Sequence, residues 1–101
     1  SVCECEHSPL WSNTLPESGS LAGFIRQEYR GLRSQDLPAY YRVNGAIYWV
    51  GTKRFLQERR FLLDESSYAY RMHPEDSVDI DHELDLELCR LLATRPRFRE
   101  G

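Results

Sequence analysis

Tyr40-Tyr41-Arg42-Val43-Asn44-Gly45-Ala46-Ile47-Tyr48-Trp49-Val50 is the stretch whose reading decides the fold. It is dense in Tyr, Val, Ile and Trp, which fit a pleated, half-buried surface, and it predicts the strongest strand of the chain. Gly51-Thr52 follows and opens a helix to about Arg59, with Thr52 as N-cap and Phe55 and Leu56 facing the core. Strand followed by helix sets an α/β pattern. Asn44 and Tyr48 stand four apart, so on a regular strand they share a face. An amide and a phenol so placed can hydrogen-bond a polyhydroxylated ligand. A strand-edge Asn in a turn and a half-buried Tyr with a wet hydroxyl explain the pair as plain structure. Gly45 inside the run marks a bulge or a close approach by ligand or backbone.

Working outward, residues 1–6 alternate like a strand and Pro9-Leu10-Trp11 begins a second extended piece. Asn13 to Ser20 is rich in turn residues. Leu21 to Tyr29 predicts a short helix from the spacing of Leu21, Phe24, Ile25 and Tyr29, with Gly31 placed to end it. Gln35-Asp36-Leu37-Pro38 reads as a loop, because the residue before a proline is biased away from helix. Ser67 to Met72 predicts another strand, and His73-Pro74-Glu75-Asp76 a turn. A last helix runs from about His82 to Thr94, with Leu84, Leu88, Leu91 and Leu92 as one apolar stripe. Pro96 ends it, and residues 95–101 form a tail. No internal repeat or low-complexity linker interrupts this order.

Size and composition bound the function. A chain of 101 residues is at most one domain, near the small end of what buries its own core. Its 41% hydrophobic and 12% aromatic content is that of a globular chain rather than a disordered one. A formal net charge of −3 argues against a nucleic-acid surface, which needs an excess of Lys and Arg. No apolar run reaches the twenty or so residues of a membrane span, so no membrane is expected as a partner. Cys3, Cys5 and Cys89 lack a disulfide-scaffold spacing and fit a reducing compartment, which predicts a cytoplasmic protein. Cys3-x-Cys5 has no second pair to complete a metal site and reads as two small residues on one strand face. Residue 1 is Ser, the only Met is Met72, and the opening already alternates like mid-strand; a fragment of a longer protein is the expectation.

Ser77-Val78-Asp79-Ile80-Asp81 carries the sharpest chemistry. Carboxylates two apart on an extended chain point the same way, with Cα atoms roughly 6.5–7 Å apart. Asp79 and Asp81 can therefore both reach one hard cation such as Mg²⁺, which suggests a phosphate-bearing substrate. The structural alternative is helix capping by Asp81, with Glu83 and Asp85 suiting the helix dipole. The arginines are scattered, the histidines lack metal-ligand spacing, and nothing supports covalent catalysis. The six glycines are isolated, and no phosphate-cradling GxGxxG or GxxxxGK run occurs.

Three motifs in order resemble the C-terminal half of CMP–sialic acid synthetases, or acylneuraminate cytidylyltransferases. They are Gln35-Asp36-Leu37-Pro38, then Tyr41 through Tyr48, then Ser77 through Asp81 with Glu83-Leu84-Asp85-Leu86. His7-Ser8-Pro9-Leu10-Trp11 is similar to the piece that opens the family's dimerisation region. The resemblance implies transfer of CMP from CTP to the anomeric hydroxyl of a nine-carbon sugar acid, with release of pyrophosphate. It implies Asp79 and Asp81 as the Mg²⁺-linked acids, and Asn44 and Tyr48 lining the sugar-acid site. Phe61 and Leu62 match apolar positions against the N-acyl group. Arg33 lies near a basic residue that reaches the partner subunit's sugar site, although Arg33-Ser34-Gln35 departs from the family's Arg-Gln order.

The implied fold is the C-terminal part of a Rossmann-like α/β nucleotidyltransferase with a dimerisation extension. Residues 1–38 are the expected homodimerisation segment, 39–94 the sugar-acid and metal-binding part, and 95–101 the tail. The family's N-terminal half, with its CTP loop, is expected as a partner, and the 101-residue chain alone is expected to be inactive. Two alternatives stand beside this reading. One is a sibling enzyme acting on legionaminate, pseudaminate or deoxy-octulosonate; the other is a non-catalytic dimerisation or sugar-acid-binding module.

Overall fold

A computed structural model describes residues 1–61 and 63–96. Three short strands and two helices form a mixed α/β arrangement: β1 (Val2–Glu4), β2 (Tyr41–Val43), α1 (Thr52–Glu58), β3 (Arg71–Met72) and α2 (Glu83–Ala93). The strand order is β2-β1-β3. β1 and β3 run parallel, with Val2 opposite Arg71 and Cys3 opposite Met72. Single turns of 3₁₀ helix stand at Pro9–Trp11, Gln27–Tyr29, Ser34–Asp36 and Pro74–Asp76. The chain divides into two compact units, Ser1–Cys3 with Val43 onward, and Glu4–Arg42.

The long strand expected over Tyr40 to Val50 is cut to three residues. Gly45 takes φ +69, a left-handed conformation that no strand continues through. Asn44 and Tyr48 therefore do not share a strand face. α1 begins one residue earlier in role than expected: Gly51 occupies the N-cap position and Thr52 is the first helical residue. Arg59 closes α1 in the left-handed region at φ 56, its N–H bonded to the Phe55 carbonyl at 2.7 Å. That reversal is the position usually given to glycine. Phe55 turns inward against Phe61, whereas Leu56, expected in the core, stays exposed.

α2 spans the expected residues, but its buried side differs from the expected stripe. Leu86, Cys89 and Leu92 pack inward, while Leu84, Leu88 and Leu91 remain 75%, 43% and 66% exposed. Leu84, Leu88 and Leu91 recur at helical spacing, so the sequence carries two apolar faces and only one finds a neighbour among the described residues. Cys3 is the one apolar side chain there that is fully buried. No helix of the described residues is long and apolar enough to cross a membrane.

The Glu4–Arg42 unit is built from turns. Gly23 at φ +68 and the extended Arg26 break the helix expected over Leu21 to Tyr29, leaving only the turn at Gln27–Tyr29. Gly31, at φ +74, follows that turn. Pro9-Leu10-Trp11 is a 3₁₀ turn rather than an extended piece, because the Ser8 hydroxyl accepts the Leu10 N–H and Pro9 suits the first helical position. Glu6 and Arg42 pair at 2.9 Å, and Cys5 N–H donates to the Tyr40 carbonyl at 2.8 Å. The guanidinium bonded to Glu6 holds its carboxyl below the ordinary value.

Candidate functional site

Where β2 ends, a buried polar network joins the two stretches that carried the sequence argument. Asn44 is 7% and Ser77 2% exposed, and the Asn44 Nδ2 donates to Ser77 Oγ at 2.9 Å. The same amide nitrogen approaches Met72 Sδ at 3.4 Å. Its carbonyl oxygen accepts the Ser1 hydroxyl at 2.5 Å and the Ala46 N–H at 3.2 Å. An amide has two donor hydrogens and two acceptor positions, and all four are engaged by protein. Ser77 Oγ passes its own hydrogen to the His73 carbonyl at 2.8 Å. Ser1 Oγ also accepts the Ile47 N–H at 2.9 Å. The Gly45 turn and the segment leading to Asp79 and Asp81 are thus fastened to one side chain.

Beyond the turn, Tyr48 meets Phe61 with ring centroids 4.9 Å apart, and Phe61 meets Phe55 at 5.2 Å. The left-handed Arg59 is what returns the chain so that Phe61 reaches both rings. Tyr48 and Phe61, distant in sequence, then share one open hollow of about 420 Å³. Trp49, Leu63, Tyr68, Tyr70, Ser66, Ser67, Arg54 and Arg60 complete most of its lining. Trp49 and Tyr68 are 94% and 91% exposed, so their rings are free to meet a ligand. Aromatic faces with interspersed hydroxyls suit a saccharide, whose C–H faces stack and whose hydroxyls need partners.

One wall is held by a polar clamp. Arg54 donates to Ser66 Oγ at 2.5 Å and pairs with Asp64. Asp64 also accepts the Ser66 hydroxyl at 2.7 Å, the Ser66 N–H at 3.0 Å and the Ser67 hydroxyl at 3.1 Å. The hydrogen bonds from Ser66, then Ser67 and Arg54, hold the Asp64 carboxyl down at about 2. The sequence reading missed this clamp. Its one legible signal is the Asp64-x-Ser66-Ser67 pattern, in which an aspartate bonds the backbone two residues on.

Asp79 and Asp81 lie on the irregular stretch between the turn at Pro74–Asp76 and α2, and both are exposed. The capping role open to Asp81 falls instead to Asp85, whose Oδ2 accepts N–H groups from Asp81 at 3.0 Å and His82 at 2.8 Å. Those bonds, His82's first, lower the Asp85 carboxyl below its ordinary value. The carboxylates of Asp79 and Asp81 make no hydrogen bond or ion pair among the described residues. Two free hard-oxygen ligands suit Mg²⁺, which takes the rest of its shell from water and phosphate. Among the described residues no three His, Cys, Asp or Glu side chains gather to hold a metal. Arg33 lies in the other unit, exposed and ion-paired with Asp36 at 3.2 Å. Leu62 lies outside the described residues.

Curated proteins named N-acylneuraminate cytidylyltransferase, from Streptococcus agalactiae serotypes V, III and Ia, match 81 residues of this chain at 35% identity. Over that stretch the chain is similar to the N-acylneuraminate cytidylyltransferases. The match covers 80% of the chain and 19% of the S. agalactiae proteins, so the chain spans about a fifth of the curated relatives' length. No family model matches it. The resemblance carried by the three motifs is thereby borne out.

Proposed function

We propose that this chain is the sugar-acid and metal-binding portion of a cytoplasmic cytidylyltransferase, transferring CMP from CTP to an N-acylneuraminate with release of pyrophosphate. The observation that carries it is the Asn44–Ser77 bond. It ties the turn leading into the aromatic hollow to the segment bearing two carboxylates that have no partner among the described residues. Tyr48 and Phe61 hold the sugar acid, with Leu62 beside them in sequence, and Asn44 supports that wall from behind. Asp79 and Asp81 hold Mg²⁺. Bound there, Mg²⁺ would supply positive charge to offset that on the phosphoryl oxygens.

The rest of the reading concerns what lies around these residues. The parallel β1–β3 pair supports a Rossmann-like nucleotidyltransferase sheet, of which this chain supplies an edge. Residues 1–38 serve a homodimer, supported by Leu15, Leu21 and Leu32 standing exposed there. In that assembly Arg33 reaches the partner subunit's sugar acid. The CTP site belongs to an N-terminal half of the same enzyme, so the chain alone is inactive.

The test follows Mg²⁺ through Mn²⁺, whose paramagnetism broadens nearby NMR signals. Mn²⁺ should broaden residues around Asp79 and Asp81, and Mg²⁺ should reverse it. Asp81→Asn should abolish the effect without changing the unfolding temperature, because that carboxylate makes no hydrogen bond or ion pair among the described residues. A variant that loses stability while keeping the metal effect would sink the assignment. So would pyrophosphate release from CTP, Mg²⁺ and N-acetylneuraminic acid that Asp81→Asn leaves intact.

A further inference from the structure

Among the described residues, the side chains lining the aromatic hollow include two arginines and neither an aspartate nor a glutamate. Arg54, the first arginine, is neutralised by Asp64 and bonded to Ser66. Arg60, the second, is exposed and makes no hydrogen bond or ion pair among the described residues. Beside its aromatic rings the hollow thus presents the Arg60 guanidinium, along with the α-amino group of Ser1, which donates to the Ile47 carbonyl at 2.8 Å. Arg60 directly follows the left-handed Arg59. A non-glycine residue there is a strained choice, of the kind that persists where the local path of the chain is needed. The strain accompanies the tight reversal that carries Arg60 to the hollow while Phe61 packs at a tilt against Tyr48.

We propose that Arg60 holds the carboxylate of the acid ligand in this hollow, and so sets its preference for sugar acids over neutral sugars. The assignment rests on the sugar-acid reading above and adds a residue to it. A guanidinium meets a carboxylate with two parallel N–H bonds, which an amide or ester cannot accept in the same way. The rings of Tyr48 and Trp49 take the pyranose body, and Arg60 fixes which end carries the charge.

The experiment measures binding of three probes to the full chain by saturation-transfer NMR: N-acetylneuraminic acid, its methyl ester and CTP. The unsubstituted chain should prefer the acid over the ester by about ten-fold or more, the value of a charge-assisted pair at a partly wet site. Arg60→Gln should erase that preference by weakening the acid alone, and Arg60→Lys should restore part of it. Because Arg60 makes no hydrogen bond or ion pair among the described residues, unchanged circular dichroism is expected for both variants. An Arg60→Gln chain that still prefers the acid overturns the assignment, and a loss confined to CTP would assign Arg60 to a phosphate instead. If the unsubstituted chain binds neither acid nor ester, the sugar-acid reading itself falls and this assignment with it.

Discussion

Replacing Asn44 by alanine removes the side chain on which the candidate site hangs. Four contacts go with it: those to Ser77 Oγ, Met72 Sδ, Ser1 Oγ and the Ala46 N–H. The Ser1 hydroxyl and the Ala46 N–H can turn to water, whereas Ser77 is 2% exposed and loses its donor inside the fold. One neutral bond is worth about 1 kcal/mol net, and a stranded buried group adds about 1–2, so the loss is about 2–3 kcal/mol. For a domain of this size that lowers the unfolding temperature by about 10 °C or more. Asn44→Asp keeps the oxygen for Ser1 and Ala46 but loses the donor to Ser77, and should destabilise through that arm alone. Thermal unfolding followed by circular dichroism gives the magnitude. Amide hydrogen exchange gives the location, with protection lost at Ala46, Ile47 and Ser77. An Asn44→Ala chain that melts within a degree or two of the parent, with exchange unaltered at Ser77, would refute the claim that this network joins the two segments.

Arg59→Gly should stabilise the chain by about 0.5–1 kcal/mol, since glycine adopts the left-handed C-cap without the Cβ clash; a shifted urea midpoint at constant slope would show it. Acid tests the clamp. A carboxyl whose folded value, about 2, lies below its ordinary 3.8 stabilises the fold fully above pH 3.8 and loses that contribution as pH falls toward 2. Asp64→Asn should therefore flatten the fall in stability between about pH 4 and pH 2, read from urea midpoints across that range. An acid profile identical to the parent's would show that the bonds from Ser66 do not form in solution.

The motifs that mark the family are contiguous and were readable as they stand. Spacing alone located α2 to within a residue, because leucines at helical intervals between His82 and Thr94 admit no other period. The turn at Pro74–Asp76 was equally legible from His73-Pro74. Propensity misled at Tyr40 to Val50. Seven residues there favour a strand, yet one left-handed glycine, locked by the Asn44 side-chain carbonyl accepting the Ala46 N–H, turns the chain. It misled again at α2, where Leu84, Leu88 and Leu91 have as strong a claim to burial as Leu86 and Leu92.

By itself, then, the sequence determined kinship and the α/β class, because these depend on residue type and local spacing. Only the tertiary structure decided which residues stand together. Asn44 meets Ser77 across 33 positions, Tyr48 meets Phe61 around a left-handed arginine, and Asp85 rather than Asp81 caps α2. Such pairings are set by where a buried amide finds its partners and where a chain reversal brings a ring. No local period encodes either, because both depend on contacts that exist only once the chain has closed upon itself.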